Sequence, residues 1–421
     1  MCCAAAWVLA AAGSLAAAQQ PAFRSGVQVV EVDVRVFDTD GRFVGGLTVD
    51  DFELLENGVP QRLQSADLVG TATGDNAASA NPEAPARVGP ATKPAPTAAP
   101  RQTWIFFFDL NHLTPGNGFD RARKAVEEFV ASRFKEGDLA GVLAGSTMAN
   151  NRLTSIREEL VTAVKAVKPT ADARNRFIEL TREWPRLRDE ADALLIANEN
   201  KDAIRRAVMR ACTDEPEACR VTPPDLAVRE KAKRLQREFE RTSLDTLRTL
   251  NSLAAGLAKL PGQKTVVLLS DGFVIDDVAT TVQTVVGQIA RAGTRVYSID
   301  VRGLNRGGGT DPAQMLADDP AGGPPRVDTT ADGPNSLAVD TGGAMIRNQN
   351  NIGRALEQIE ADARRYYLLT YQPQNTVFDG KFRSIEVRVK REGVRVRARK
   401  GYLAVEAPRS GGGEQAAREI R

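Results

Sequence analysis

The chain has 421 residues, of which 42% are apolar and 26% are charged, and its formal net charge is only +2. This length predicts two or three domains, and the near balance of charge argues against a dedicated nucleic-acid binder. The sequence contains a single histidine, His112, which excludes a histidine-rich zinc site and leaves only that residue for a Ser-His-Asp triad.

The N-terminal residues 1–18 are apolar and rich in alanine, and they end in Ala16-Ala17-Ala18. This pattern predicts a secretory signal peptide with a small-residue cleavage site, and the alternative is a short membrane anchor. No other segment of the sequence approaches the roughly 18 apolar residues of a membrane span. The mature chain is therefore expected to lack a membrane span and to be secreted or to lie in the periplasm or cell envelope.

The segment 27–69 predicts β structure. In its first strand, valines at every second position alternate with polar residues such as Asp33 and Arg35, which predicts a half-buried strand with one apolar face. Asn57-Gly58 predicts a tight hairpin, because both residues tolerate positive φ. A segment of this size cannot bury a sufficient core alone, so it needs a partner.

Residues 101–365 predict a doubly wound α/β domain with a mostly parallel sheet. Its strands are apolar throughout, as expected when both faces are covered, and they alternate with amphipathic helices. The predicted strands are "TWIFFFDL", "DLAGVLAGS", "KTVVLLSDGF" and "TRVYSIDV", and the predicted helices span 119–134, 154–167, 278–292 and 351–365.

A charged segment, 170–241, interrupts this alternation and predicts an insertion of two or three helices. Because its charges are nearly balanced, most of its surface is expected to be solvated. It contains Cys212 and Cys219, which are expected to form a disulfide in an oxidising compartment; the alternative is two free thiols.

Residues 366–405 return to an alternating apolar and charged pattern, which predicts a second β segment. We expect it to pair with residues 27–69 into one small β-sandwich, with the α/β domain inserted between the two halves. Three further segments lack apolar periodicity and predict a disordered linker, a long loop and a disordered tail: 70–100, 303–335 and 406–421.

Two acidic residues lie at the ends of predicted strands, Asp109 after "IFFF" and Asp271 after "VVLLS". Ligands of a doubly wound sheet bind outside the carboxyl ends of its strands, so these residues can meet in space. With Asn111 they form the oxygen set that suits Mg²⁺ or Ca²⁺. The alternative is a rim without metal, where both carboxylates cap turns. His112 is a candidate ligand at the same rim, or a packing residue.

Residues 27 to about 403 resemble the secreted bacterial proteins related to the von Willebrand factor type A (vWA) domain. The resemblance rests on "VDVRVFDTDGRFVGGLTVDDFELLENGVPQ", "IFFFDLNHL", "TVVLLSDGF", "DTGGAMI" and "YYLLTYQPQNTVFDGKFRSIEVRVKREGVRVRARKGY". It implies a metal-ion-dependent adhesion site built from an Asp-x-Ser-x-Ser loop, a distant threonine and a second aspartate. Asp109 and Asp271 match the first and last of these positions.

The remaining positions of the adhesion site depart from the family pattern. Asn111 replaces the first serine, and its carbonyl oxygen can still bind a cation. Leu113 replaces the second serine and has no oxygen to offer. Thr242 or Ser243, at the start of a helix predicted over 242–259, is the candidate for the threonine.

The resemblance implies an exported, non-enzymatic protein-binding or adhesion module. In such a module a bound Mg²⁺, or Ca²⁺ or Mn²⁺, keeps an open coordination position that accepts a carboxylate from a protein partner. One alternative is a scaffold protein that binds its partner without metal, through the insertion 170–241. Another is a metal-assisted hydrolase, for which the sequence offers no general base besides His112.

Overall fold

The computed structural model of the chain describes residues 29–70, 102–273, 279–303 and 332–405. The predicted signal peptide, linker and tail lie outside these residues, apart from Gly70 at the start of the linker. Most of the predicted loop 303–335 also lies outside them, but its end is different from the prediction, because a helix begins at Asp332.

The N-terminal β segment forms four strands: β1 (Val30–Phe37), β2 (Phe52–Glu56), β3 (Val59–Gln61) and β4 (Leu63–Val69). Strands β2 and β3 form the predicted hairpin, in which φ is 49° at Asn57 and 78° at Gly58. Positive φ at both central residues matches the twist of the flanking strands.

The central sheet consists of β5 (Thr103–Phe108), β6 (Leu139–Ala144), β7 (Thr147–Met148), β8 (Lys264–Ser270), β9 (Thr294–Asp300) and β10 (Met345–Ile346). The strand order is β10-β9-β8-β5-β6-β7, and all pairs are parallel except β6 with β7. The prediction of a mixed α/β fold with a mostly parallel sheet is confirmed.

Helices cover both faces of this sheet. Those that pack on its two faces are α1 (Asn117–Arg133), α2 (Arg157–Ala166), the C-terminal part of α7 (Pro224–Leu257), α8 (Ala279–Arg291), α9 (Asp332–Asp340) and α10 (Ile352–Arg364). The other helices, α3 (Ala171–Thr181), α4 (Glu190–Ala197), α5 (Lys201–Asp214) and α6 (Pro216–Val221), lie between α2 and α7 in the chain. Along β5, Trp104 and Phe106 pack with α1, α2 and α10, whereas Ile105 and Phe107 pack with α7 and α8. Because successive strand residues face opposite layers, the whole strand is apolar.

The insertion differs from its prediction in extent and in the number of helices. Helices α3 to α6 belong to it, and α7 crosses the predicted boundary at residue 241 without a break for 34 residues. The helix predicted over 242–259 is therefore the C-terminal part of a longer helix. The insertion has its own apolar core, which includes Leu187, Ile196 and Leu235. The predicted disulfide joins Cys212 to Cys219.

The C-terminal β segment forms β11 (Tyr366–Tyr371), β12 (Phe382–Val389), β13 (Arg395–Ala398) and β14 (Gly401–Leu403). These strands combine with the N-terminal ones in two antiparallel sheets of order β13-β1-β11-β4 and β14-β12-β2-β3. The two sheets share one apolar core, to which Val32 and Tyr371 contribute from the first sheet and Leu54 and Ile385 from the second. Each half of the chain thus supplies the partner that the other lacks.

A buried ionic network joins these antiparallel sheets to the wound sheet. Asp33 of β1 lies 3.2 Å from Arg35 and 2.5 Å from Arg295 of β9, whose side chains are 0% and 2% exposed. Both guanidinium groups also lie over the ring of Tyr366, at 5.3 and 4.8 Å. Arg35 donates in addition to the carbonyl oxygen of Asp362 in α10, at 2.8 Å. Asp33 and Arg35, on the polar face of β1, are therefore buried between the two parts of the fold, whereas Glu31 on the same face is exposed.

Candidate functional site

The two predicted rim carboxylates lie at the same edge of the central sheet. Strands β5 and β8 are parallel neighbours whose last paired residues are Phe108 and Leu269, so Asp109 and Asp271 both follow a carboxyl end. The loop after β5 also bonds to the loop after β8: the amide of Thr114 donates to Oδ2 of Asp271 at 2.7 Å, and the amide of Asp271 donates to the carbonyl oxygen of His112 at 3.2 Å.

Asp109 is completely buried and its carboxylate is held by three side chains. Thr246 of α7 donates to Oδ1 at 2.8 Å, Ser270 donates to Oδ2 at 3.0 Å, and Nδ1 of His112 donates to Oδ2 at 2.8 Å. Buried carboxylates are stable only when such donors replace water. Both oxygens of this carboxylate therefore accept hydrogen bonds from the chain itself, one on Oδ1 and two on Oδ2.

Two other predicted ligands take different roles in the structure. The side-chain amide of Asn111 donates to the hydroxyl of Thr246 at 3.4 Å. Asn111 therefore bonds to the threonine that donates to Asp109, and not to Asp109 itself. The hydroxyl of Thr242 donates to carbonyl oxygens of its own helix, at 3.1 Å from Glu238 and 3.0 Å from Phe239, and does not contact Asp109. The threonine at the rim is Thr246, one helical turn later.

His112 fills the space beside Asp109 and has a side chain only 3% exposed. Its ring packs on Phe273 at a centroid distance of 5.1 Å. Its other nitrogen, Nε2, is buried and has no hydrogen-bond partner among the described residues. The lone histidine is thus a buried partner of the rim carboxylate, whereas an exposed ligand would have both nitrogens near solvent.

The insertion closes over this rim. Arg176 of α3 donates to the carbonyl oxygen of Asn111 and pairs with Glu238 of α7 at 3.1 Å. Glu190, the first residue of α4, interacts electrostatically with His112, and its Oε1 is buried without a hydrogen-bond partner in the described part of the chain. Two helices of the insertion therefore reach the sheet edge that carries Asp109 and contact the loop that follows β5.

The surroundings of three side chains at the rim, His112, Glu190 and Asp271, raise their pKa values and so favour their protonated forms. Burial lowers the pKa of His112, but the charge and hydrogen bond of Asp109 outweigh it and leave that pKa above 6.5. Burial raises the pKa of Glu190 from 4.5 to about 7, although the positive charges of His112 and Arg176 oppose the change. Burial also raises the pKa of Asp271 from 3.8 to about 6, against the opposing hydrogen bonds from Thr114.

The residues present do not fit a hard cation in this arrangement. Such a cation takes six or more oxygen ligands, but the oxygens of Asp109 accept from Thr246, Ser270 and His112. Leu113 is buried and supplies no oxygen. Across the described residues no group of three His, Cys, Asp or Glu side chains is arranged to hold a metal ion. Metal binding at Asp109, Asn111 and Asp271 stays a prediction.

Sequence reasoning missed Thr246, Ser270 and the two insertion residues Arg176 and Glu190. The sequence does contain a signal for Ser270, because this residue lies between the apolar strand and Asp271 in "LLSDGF". Thr246 could have been suspected from α7, where buried polar residues interrupt an apolar stripe. Nothing in the local sequence of the insertion indicates contact with a loop 65 residues earlier in the chain, as Arg176 makes with Asn111.

The raised pKa values predict that the protein loses stability as pH rises through neutrality. The folded state retains protons on Glu190, Asp271 and His112 that the unfolded chain releases, so the free energy of unfolding should fall by roughly 3 to 4 kcal/mol between about pH 5 and about pH 8. Glu190→Gln should make the free energy of unfolding depend less on pH between about 4.5 and about 7, the ordinary and folded pKa values of Glu190. Urea unfolding at several pH values measures this free energy. The matched control, Glu217→Gln in α6, changes a side chain that is 81% exposed and should leave the slope unchanged. An equal slope in Glu190→Gln would contradict the prediction.

No protein-family profile matches the sequence, and no curated protein matches it. The chain is similar to two solved structures. One is an aerotolerance-related membrane protein from Bacteroides fragilis NCTC 9343 with multiple mutations to serine, at 14% identity over 62% of this chain and 99% of that chain, with a TM-score of 0.29. The other is the conserved hypothetical protein BatB from Bacteroides thetaiotaomicron, at 12% identity over 62% of this chain and 98% of that chain, also with a TM-score of 0.29.

Proposed function

We propose that this chain is an exported, non-enzymatic protein-binding module of the vWA type that contacts its partner through the helical insertion and without a rim metal. The observation that supports this choice is the enclosure of Asp109, which is 0% exposed. A cation that accepts a partner carboxylate needs an open coordination position, and the insertion occupies the space above this edge of the sheet. Of the alternatives that the sequence leaves open, metal-independent binding fits best.

The surface of the insertion supports this proposal. It presents large apolar side chains to solvent, with exposed fractions of 52% for Met209, 85% for Val221 and 52% for Leu226. The disulfide between Cys212 and Cys219 connects α5 to α6, the helices that carry Met209 and Val221. Exposed apolar groups on a rigid support are a common feature of protein interfaces.

The arrangement of polar groups argues against a serine hydrolase built on His112. In a serine triad the histidine lies between the serine and the aspartate. Here Ser270 and His112 both donate directly to Asp109, at 3.0 and 2.8 Å, so the histidine does not activate the serine. Among the described residues, Asp109 is 0% exposed and the side chain of His112 is 3% exposed, which disfavours direct contact between these groups and a substrate.

The disulfide supports export, because disulfides persist mainly in oxidising compartments. In the part of the chain that the structure describes, every helix is too short or too polar to cross a bilayer. The predicted signal peptide over 1–18 and the secreted or periplasmic location belong to the same proposal.

Two measurements test the proposal together. Isothermal calorimetry with MgCl₂, MnCl₂ and CaCl₂ should show no saturable heat, and partner capture from the native envelope fraction should be the same with and without EDTA. The double variant Met209→Asp/Leu226→Asp should lose the captured partner, because charge on this surface opposes burial. A control, Val377→Asp, alters a side chain that is 62% exposed on the β-sandwich and should retain capture. Saturable metal binding, or capture that EDTA abolishes, would favour the adhesion-type site instead.

A further inference from the structure

A cleft of about 1300 Å³ lies between the wound sheet and the antiparallel sheets, away from the covered rim. Its walls include α10, residues 343–346 around β10, part of β12, and residues 395–400 of β13 and the turn that follows. None of the residues that surround Asp109 lines it. Pockets for small ligands usually measure about 300 to 1000 Å³, so this cleft has room for a segment of polymer.

An open strand edge faces the cleft. Strand β13 is the terminal strand of its sheet and pairs only with β1 among the described residues. Six consecutive residues, 395–400, line the cleft. Because neighbouring strand residues point to opposite faces, a run of consecutive lining residues shows that the backbone edge itself borders the cavity. Such an edge can pair with an added extended peptide.

The cleft also contains buried polar groups without partners, and all of them can donate a hydrogen bond. Tyr297 is 1% exposed, lines the cleft, and has a hydroxyl with no hydrogen-bond partner in the described part of the chain. The same holds for Nε of three lining arginines, Arg365, Arg397 and Arg399. Unpaired buried donors are costly, so a ligand that supplies acceptors would be stabilised here.

The charges that line the cleft are not balanced. Its acidic residues all have basic partners: Glu357 and Glu360 pair with Arg133, Asp362 pairs with Arg397, and Glu386 pairs with Arg388. Three lining arginines, Arg365, Arg395 and Arg399, have no ion-pair partner within residues 29–70, 102–273, 279–303 and 332–405. Of these, Arg399 donates to the carbonyl oxygens of Ala290 and Glu31, so Arg365 and Arg395 are the two that can receive a carboxylate. The complementary ligand therefore carries negative charge.

We propose that this cleft binds an acidic peptide segment in an extended conformation, added alongside β13. The open edge supplies main-chain hydrogen bonds, Arg365 and Arg395 receive carboxylates, and the hydroxyl of Tyr297 donates to an acceptor on the peptide. This site is separate from the insertion surface and does not depend on it, so either can fail alone.

The test uses the full chain and a fluorescein-labelled peptide with the sequence Glu-Val-Glu-Val-Glu-Val, whose binding is followed by fluorescence anisotropy. Arg395→Glu should weaken binding by about tenfold, because it reverses one unpaired charge at the edge. Arg395 is exposed, so this variant should fold. Arg391→Glu is the matched control, since Arg391 lies in the connection between β12 and β13, is exposed, and does not line the cleft. Tyr297→Phe, which removes only the hydroxyl, should also weaken binding.

A second peptide of the same sequence, methylated on the backbone nitrogens of its valines, tests the mode of binding. It should bind at least about tenfold more weakly, because methylation removes donors that a paired strand needs. The proposal is overturned if the acidic peptide does not bind, if Arg391→Glu weakens it as much as Arg395→Glu, or if the methylated peptide binds equally well. Tighter binding of the corresponding Lys-Val peptide or of a single-stranded DNA oligonucleotide would overturn it as well.

Discussion

Replacing Asp33 with alanine is expected to lower the free energy of unfolding by about 3 to 5 kcal/mol, because it leaves two buried guanidinium groups without their shared carboxylate. Arg35 and Arg295 are 0% and 2% exposed, and Asp33 lies within 3.2 Å of both. Cation–π contact with Tyr366 remains in the variant but does not neutralise either charge. The loss should also weaken the association between the antiparallel sheets and the wound sheet.

Denaturation in urea, followed by circular dichroism, measures this effect. Glu31→Ala serves as the matched control, since Glu31 lies on the same strand and is exposed; its replacement should change the free energy of unfolding by less than about 0.5 kcal/mol. If Asp33→Ala lowered the free energy of unfolding as little as this control, the ionic network would not hold the two parts of the fold together. A second variant, Asp33→Ala with Arg295→Met, should recover part of the loss because one unpaired charge is gone.

Replacing Asp109 with alanine is expected to cost about 3 to 5 kcal/mol, because three buried donors lose their common acceptor. His112 should respond as well: without the carboxylate, burial dominates and its pKa should fall below the ordinary value of 6.5. As the chain contains one histidine, proton NMR of its ring reports this change without ambiguity.

A pair of substitutions one helical turn apart on α7 provides the control. Thr246→Val removes a donor to Asp109 and should cost about 1 to 3 kcal/mol, whereas Thr242→Val removes a bond within the helix and should cost less than about 1 kcal/mol. Thr246 and Thr242 are similarly buried, at 1% and 3% exposure, so burial alone does not separate them. Equal costs, or an Asp109→Ala variant with an unchanged histidine pKa, would contradict the assigned network.

The covered rim explains why the resemblance to the adhesion site and the observed geometry differ. The motif "IFFFDLNHL" correctly predicted a buried strand that delivers Asp109 to the sheet edge, because an apolar strand followed by a carboxylate is a local pattern. The position of His112 could not be predicted from the neighbouring residues. Its ring lies against Asp109 and Phe273, and it is enclosed by a helical insertion whose contacts come from distant parts of the chain.

The prediction of the threonine at the rim failed for a related reason, the position of a helix end. Placing the start of a helix at residue 242 put Thr242 at a helix end, where its hydroxyl would be available. In the structure α7 begins at Pro224, so Thr242 lies within the helix and bonds to it. A helix boundary misplaced by 18 residues therefore changed which threonine could reach Asp109.

The amino-acid sequence alone determined the alternation of apolar strands and amphipathic helices, the Asn57-Gly58 hairpin, and the pairing of the two terminal β segments, each of which lacks a core by itself. These features follow from the period of the side chains along one element. Only the tertiary structure decided that Asp33 and Arg35 of β1 are buried in an ionic network and that the insertion contacts the loop beside Asp109. The reason is physical: a periodic pattern shows which side chains share a face, whereas burial of that face depends on elements that are far away in the chain.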